Sequence, residues 1–183
     1  MSYSYSANVI IHKNYSPDST REISRSGDTP PSVHQGDTYY VYVPLDNSES
    51  FTRSGYDFVG YGYNSDPSSL SYYPGDSITF MFNGSGTQNV HIYCVWKAKT
   101  YTISYNAGGG SGAPGNQTKT YGVNLTLSSQ TPTWAGHTFV SWNTKADGTG
   151  TSYSPGATYT GNANLPLYAI WTTNSYTEMM TSR

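Results

Sequence analysis

The same residues stand at the same spacing twice in this chain. Gly55, Phe58, Val59, Tyr72, Pro74 and Gly75 recur as Gly136, Phe139, Val140, Tyr153, Pro155 and Gly156, each 81 residues further on. A register held over that many positions marks an internal repeat, so the fold must be built from two short units rather than one long one. Each unit closes on a matching apolar segment, VHIYCVW at 90–96 and LPLYAIW at 165–171, now 75 residues apart. The six-residue difference falls in the loop FNGSGTQN, and loops tolerate insertion. Upstream, QGDTYYVYV matches YGVNLTL with Gly36 and Gly122 opening the strand, and NVIIHK faces YTISYN, which sets His12 against Tyr105.

Hydropathy alternates with period 2 in these segments, which is the pattern of a half-buried strand. Tyr101, Ile103 and Tyr105 alternate with Thr102, Ser104 and Asn106, and Val123, Leu125 and Leu127 with Asn124 and Thr126. Leu165, Leu167, Ala169 and Trp171 share one face, as do Val90, Ile92, Cys94 and Trp96. Pro-Gly at 74/75 and 155/156 suits positions i+1 and i+2 of a type II turn. Nineteen Tyr and nineteen Gly fit strands joined by tight turns, and no segment has helical periodicity. The expectation is a mainly β protein of two tandem modules with little helix. An N-terminal arm (1–7) precedes the first module (8–97), a linker (98–100) leads to the second (101–171), and a tail (172–183) ends the chain.

Charge excludes some partners. Only 11% of residues are charged and the formal net charge is −2, so no electrostatic footprint for nucleic acid or anionic lipid is present. The single cysteine excludes an intrachain disulfide. No apolar run approaches the roughly 20 residues of a membrane-spanning helix. The opening MSYSYSANVIIHKNYS lacks the basic and apolar regions of a secretory signal, so export by the usual route is not expected.

The second unit carries YN, a Gly-rich turn, GHTFVSWNTKADGTG and a terminal LYAIW. Over residues 101–171 it closely resembles the internalin B-type, or Listeria–Bacteroides, repeat. The first unit resembles a degenerate copy, keeping SGYDFVGY, YYPGD and IYCVW while losing the Gly-rich turn. The resemblance implies small β-grasp-like modules on bacterial surface proteins and some phage-associated proteins, serving display, spacing or adhesion. It brings no catalytic residues, and the residues themselves give no expectation of a cofactor or metal.

The chemistry-bearing residues agree with that reading. Cys94 shares a face with Val90, Ile92 and Trp96, and its counterpart is Ala169, so it reads as a small core residue rather than a nucleophile. His12, His34, His91 and His137 lie far apart in sequence and include no i, i+4 pair, so they read as half-buried rings. Asp57, Asp66 and Asp76 read as solvated turn carboxylates, with Thr138 and Ala157 at two of the matching positions. DGTG at 147–150 has no GxGxxG frame and no helix after it.

Tyrosine is the remaining functional feature, because successive strand tyrosines point to opposite faces and some must be exposed. Tyr61, Tyr63 and Tyr73, with Tyr3 and Tyr5 of the arm and Tyr176, Met179 and Met180 of the tail, are the expected partner contacts. The expected role is non-enzymatic surface display. The first placement is a bacteriophage virion, as a capsid decoration or head fibre docked through its terminal arms. The alternative is a repeat segment of a bacterial cell-surface adhesin. A host-surface glycan or protein is the expected ligand, with no nucleic acid and no membrane insertion.

Overall fold

The computed structural model describes residues 2–46 and 51–175. Met1–Lys97 and Ala98–Arg183 form two compact units. No helix occurs among the described residues, and the mainly β expectation holds.

The first unit contains β1 (Ser4–His12), β2 (Thr20–Asp28), β3 (Tyr39–Pro44), β4 (Tyr56–Gly62), β5 (Ser77–Phe82) and β6 (Gly86–Ala98). Its main sheet runs β2-β1-β6-β4, and β3 pairs with β5 in a second, two-stranded sheet. The two central strands are parallel, with Val9 opposite Val90 and Ile11 opposite Ile92. Alternation sends Ala7, Val9 and Ile11 of β1 inward, each at 0% exposure, to meet Ile92 and Cys94 of β6 and Val41, Val43, Ile78 and Phe80 of the small sheet. Burying an aliphatic side chain of this size contributes about 1.5–3 kcal/mol, so this seam holds the two layers together.

The second unit repeats the plan. It contains β7 (Thr100–Asn106), β8 (Gln117–Thr120), β9 (Leu125–Thr126), β10 (His137–Asn143), β11 (Ser152–Tyr153), β12 (Thr158–Tyr159) and β13 (Leu165–Thr173). The main sheet runs β11-β10-β13-β7-β8, again with a parallel central pair, and β9 pairs with β12. In place of β11 the first unit has a single bridge, Tyr61 to Tyr72, which matches the pairing of Trp142 with Tyr153. Ile103, Leu127, Trp142, Leu165, Leu167 and Ala169 form the second core. Both Pro-Gly turns close as expected: Asp76 N donates to Tyr73 O and Ala157 N to Ser154 O, with Gly75 and Gly156 at φ 93° and 76°.

The structure corrects several sequence expectations. Residues 4–7 are not a separate arm but the start of β1, because Tyr5 packs on the core rings and Ala7 is fully buried. Strand β6 runs to Ala98 and β7 begins at Thr100, so only Lys99 remains of the expected linker.

The repeat register also shifts. Ile11 lies opposite Ile92 as Tyr105 lies opposite Leu167, so His12 corresponds to Asn106 and not to Tyr105. A one-residue slip of this kind exchanges the two faces of a strand. Likewise Val43 opposite Ile78 corresponds to Leu125 opposite Tyr159, not to a position counted from Gly36. Strand β3 therefore extends about four residues further than β9 before its turn. Val123, expected on the apolar face, is 57% exposed because it closes the tight turn in which its N–H donates to Thr120 O.

Candidate functional site

Each unit carries an open groove at the same place. In the second unit a cavity of about 380 Å³ is bounded by Gly108, Trp134, Ala146, Asp147, Tyr168 and the β13 segment 169–171. In the first, one of about 460 Å³ is bounded by Asn14, Tyr15, Ser16, Asp18, Ser65 and Tyr93. Asn14, Ser65 and Tyr93 are the repeat counterparts of Gly108, Ala146 and Tyr168. The groove is thus a property of the module, and only its lining has changed.

The backbone explains why it recurs. Asn14 and Gly108 both adopt left-handed conformations, at φ 63° and 59°, where the chain leaves the first strand. Glycine enters that region at no steric cost, and asparagine does so more readily than most residues. At Gly108 a Cβ would lie 3.0 Å from Ala169 O. Asn14 takes its place with hydrogen bonds, its Nδ2 donating to Ser65 O and Cys94 O at 3.2 and 3.0 Å. The turn is then locked from the last strand, where Trp96 Nε1 donates to Lys13 O at 2.7 Å and Trp171 Nε1 to Ala107 O at 2.8 Å.

Behind the groove runs a chain of ring contacts. Phe139 meets Trp142 at 5.2 Å and Trp171 at 5.8 Å, while Phe58 meets Tyr61 at 5.1 Å and Trp96 at 5.8 Å. At the rim Trp134 stacks on His137 at 3.6 Å, and the matching Arg53 lies over Tyr56 at 3.7 Å as a cation–π contact. The Gly-rich turn of the second unit fits beside Trp134: a Cβ on Gly109 would lie 2.8 Å from its ring, and one on Gly110 2.7 Å from Trp171.

Two further turns are fixed by short polar side chains. Asp66 Oδ1 accepts from Ser68 N and Oγ at 2.9 and 2.7 Å, and Asp147 Oδ1 from Thr149 N and Oγ1 at 3.0 and 2.7 Å. These bonds hold both carboxyls below the usual range, the Ser68 backbone contributing most at Asp66 and the Thr149 hydroxyl at Asp147. Asn143, 1% exposed, organises the 143–152 loop by donating to Gly148 O and Gly150 O and accepting from Lys145 N and Gly150 N. That is the structural reason for the WNTKADGTG marker.

Beside the first groove, side chains distant in sequence come together. His12 Nδ1 lies 2.9 Å from Asp18 Oδ2, His12 Nε2 lies 2.9 Å from His91 Nδ1, and Tyr93 stacks on the His12 ring at 4.3 Å and 16°. The His12 side chain is only 17% exposed. Its hydrogen bond holds the Asp18 carboxyl below the usual range, helped by the Asn14 N–H and opposed by burial. The expectation of separate half-buried rings fails here because β1 and β6, 79 residues apart at these positions, are adjacent parallel strands. The sequence signal available was the alternation of Asn8, Ile10 and His12 on one face.

The expected contact residues divide. Tyr63 and Tyr73 are 57% and 56% exposed. Tyr3 is half-buried, its backbone paired with Thr29. Tyr5 packs against Tyr39 and Phe82 at 5.5 and 5.6 Å. Tyr61 is a core ring at 0% exposure, its hydroxyl donating to Asp46 O at 2.6 Å. It was misread because period 2 breaks nearby: β10 has a register shift between Phe139 and Ser141, so Phe139 and Trp142 face the same core, as Phe58 and Tyr61 do. Tyr176, Met179 and Met180 lie outside the described residues. Tyr40, Tyr42 and Met81, none of them among the expected contacts, are 48%, 56% and 57% exposed on the outer face of the β3–β5 sheet.

Comparison with known proteins recognises the second unit. Residues 101–170 match the Listeria-Bacteroides repeat domain. The chain is 32% identical over 133 residues to a protein of Evansella cellulosilytica named "Putative Gly-rich membrane protein", covering 69% of this chain and 15% of that protein. A second protein of the same organism, named "Putative membrane protein", is 36% identical over 93 residues, covering 49% of this chain and 14% of its own length. The chain therefore spans less than a sixth of either relative. No solved structure matches it. The fold of the Listeria-Bacteroides repeat in this chain rests on the strand pairings above, and the first unit shares its strand order.

Proposed function

We propose that this chain is a non-enzymatic display and adhesion segment of a bacterial surface protein, using its repeats as spacers that present a ligand groove. The observation that carries the reading is the recurrence of the groove at equivalent positions while its lining varies. A spacer alone would need the cores but not the groove. The lining combines aromatic rings, small residues and one carboxylate per unit, Asp18 in the first and Asp147 in the second. No Lys or Arg lines either wall, and the cations over the Tyr15 ring, Lys13 at 4.3 Å and Arg53 at 5.4 Å, are engaged with that ring. Ring faces stack on sugar rings and carboxylates accept from hydroxyls, so a neutral glycan suits this lining better than an anionic ligand.

The names of the Evansella relatives support a cell-envelope setting, and their greater length supports a segment within an array. The names of the relatives favour the cell-surface alternative over the virion placement.

The test is binding of the purified chain to cell-wall and capsular polysaccharides and to intact cells. Saturable retention that Tyr168→Ala and Asp147→Asn weaken at least tenfold is expected. Absence of retention on any glycan, or retention indifferent to both substitutions, would remove the adhesive part of the proposal.

A further inference from the structure

The His12–His91 contact supports an inference that does not depend on glycan binding, although Asp18 and Tyr93, which support it, also line the first groove. We propose that His12 and His91 form a two-histidine chelate for a divalent transition-metal ion, copper(II), nickel or zinc, on the outward face of the first unit.

The geometry comes from strand pairing. In the parallel β1–β6 ladder, Ile10 stands opposite His91 and His12 opposite Tyr93. Ala7, Val9, Ile11, Ile92 and Cys94 take the inward face, so His12 and His91 are left on the other side of the sheet. His12 Nε2 and His91 Nδ1 then face each other at 2.9 Å.

The tautomer is set from behind. A carboxylate only accepts hydrogen bonds, so Asp18 Oδ2 at 2.9 Å from His12 Nδ1 requires the proton there. In the neutral ring this leaves Nε2 as a lone pair aimed at His91. A metal-bound imidazole commonly has the same arrangement, its second nitrogen donating to a carboxylate that fixes ring orientation. Tyr93, stacked on the ring, resists its rotation.

The spacing suits a metal. Ligand nitrogens bind zinc at about 2.0–2.1 Å, which places two of them about 2.8–3.0 Å apart at a right angle and about 3.3–3.4 Å apart in a tetrahedron. The observed separation meets the first and needs an opening of less than about half an ångström for the second. In the metal-free protein a single proton bridges the pair, His91 Nδ1–H donating to His12 Nε2. Metal binding takes the other tautomer of His91, its one hydrogen moving through solvent from Nδ1 to Nε2, so that His91 Nδ1 and His12 Nε2 both present lone pairs to the ion.

Among the described residues no third His, Cys, Asp or Glu completes a coordination shell. The other positions are therefore for water or for a donor from a ligand molecule. Imidazole donors favour copper(II) over nickel and zinc, and exclude magnesium and calcium. The second unit is an internal control, since it has Asn106 and Pro166 at these positions and builds no such pair.

The test uses the untagged full chain titrated with copper(II), nickel and zinc chlorides, followed by calorimetry and by nitrogen couplings in the copper(II) paramagnetic resonance spectrum. One equivalent should bind, with two imidazole nitrogens on copper and affinity greatest for copper. His12→Ala and His91→Ala should each weaken binding at least tenfold, and His34→Ala and His137→Ala should not. Asp18→Asn, a positioning change, should weaken it about 10- to 100-fold. Absence of saturable binding for all three ions would overturn the proposal. So would a copper spectrum with fewer than two imidazole nitrogens, a readout that needs no variant to fold.

Discussion

The two units share contacts whose chemistry differs. Where the second stacks Trp134 on His137 at 3.6 Å, the first lays Arg53 over Tyr56 at 3.7 Å. Where the second buries Trp142, the first buries Tyr61, and both rings meet the preceding phenylalanine near 5 Å. The polar tips fare differently: Tyr61 reaches Asp46 O, while Trp142 Nε1 finds no hydrogen-bond partner among the described residues. Gly108 and Asn14 reach the same left-handed conformation, one by lacking a Cβ and the other by hydrogen bonding. What the repeat preserves is a set of distances and backbone angles. Side-chain identity is free wherever another group can span the same distance, which lets one unit carry a histidine pair and the other none.

The largest expected effect breaks the part of the comparison that does not vary. Trp96 and Trp171 both donate to the first turn and touch the core, so Trp96→Ala and Trp171→Ala should each cost about 3–5 kcal/mol. Chemical denaturation followed by circular dichroism measures this. A cost below 1 kcal/mol in either unit would mean the tryptophan is not the lock described here.

Next comes a change that should matter in one unit only. Gly110→Ala drives a methyl into Thr133 O and the Trp171 ring, at 2.6 and 2.7 Å, and should destabilise by about 1–3 kcal/mol. The matching first-unit position already holds Ser16, so Ser16→Ala should shift the melting temperature little. Comparable shifts for the two variants would contradict the close packing of the Gly-rich turn.

Alkaline pH should separate the units further. Burial pushes the Tyr61 hydroxyl well up from its usual value, and burial with the Tyr63 hydrogen bond pushes Tyr72 up to about 12. A raised tyrosine stays neutral in the folded state while the unfolded chain ionises near pH 10. Its contribution is therefore complete below about pH 10 and is lost as pH rises through the folded-state value. The second unit has Trp142 in place of Tyr61 and titrates only through less perturbed rings such as Tyr105 and Tyr159. Between about pH 10 and 12 the first unit should lose more stability, and Tyr61→Trp should narrow the gap. Trp96, the only tryptophan of the first unit, reports its unfolding by fluorescence when the second unit's tryptophans are replaced by phenylalanine.

The smallest effect concerns Cys94, fully buried where the second unit has Ala169. Cys94→Ala should fold and cost about 1–2 kcal/mol, well below the tryptophan changes. Equal costs for Cys94→Ala and Trp96→Ala would refute the burial ranking.

How far the molecule could be read from its sequence depended on the range of the information. Period 2 and the repeated Pro-Gly turns act within a few residues, and they placed Ile92, Cys94, Trp96, Leu165 and Leu167 correctly on core faces. The parallel β1–β6 pairing joins segments about eighty residues apart, and nothing local encodes it, so the Asp18–His12–His91 contact stayed hidden. Counting the first strand from its residue pattern slipped the register by one, which moved His12 to the wrong face. Tyr61 was lost to the strand irregularity that places residues three apart on one core. Tyr40 and Tyr42 are not among the expected contacts because their exposure follows from the extra length of β3, which only its pairing with β5 reveals.

The claim on which all of this rests is that the first unit repeats the fold of the second in altered residues, with β1 and β6 parallel and Ile11 beside Ile92. The most direct measurement is a nuclear Overhauser spectrum of the isotope-labelled full chain. The account predicts cross-strand contacts of a parallel ladder linking Val9 with Val90 and Ile11 with Ile92, alongside those linking Ile103 with Leu165 and Tyr105 with Leu167. A first unit whose β1 contacts β6 in antiparallel order, or not at all, while the second unit's contacts appear as described, would contradict it.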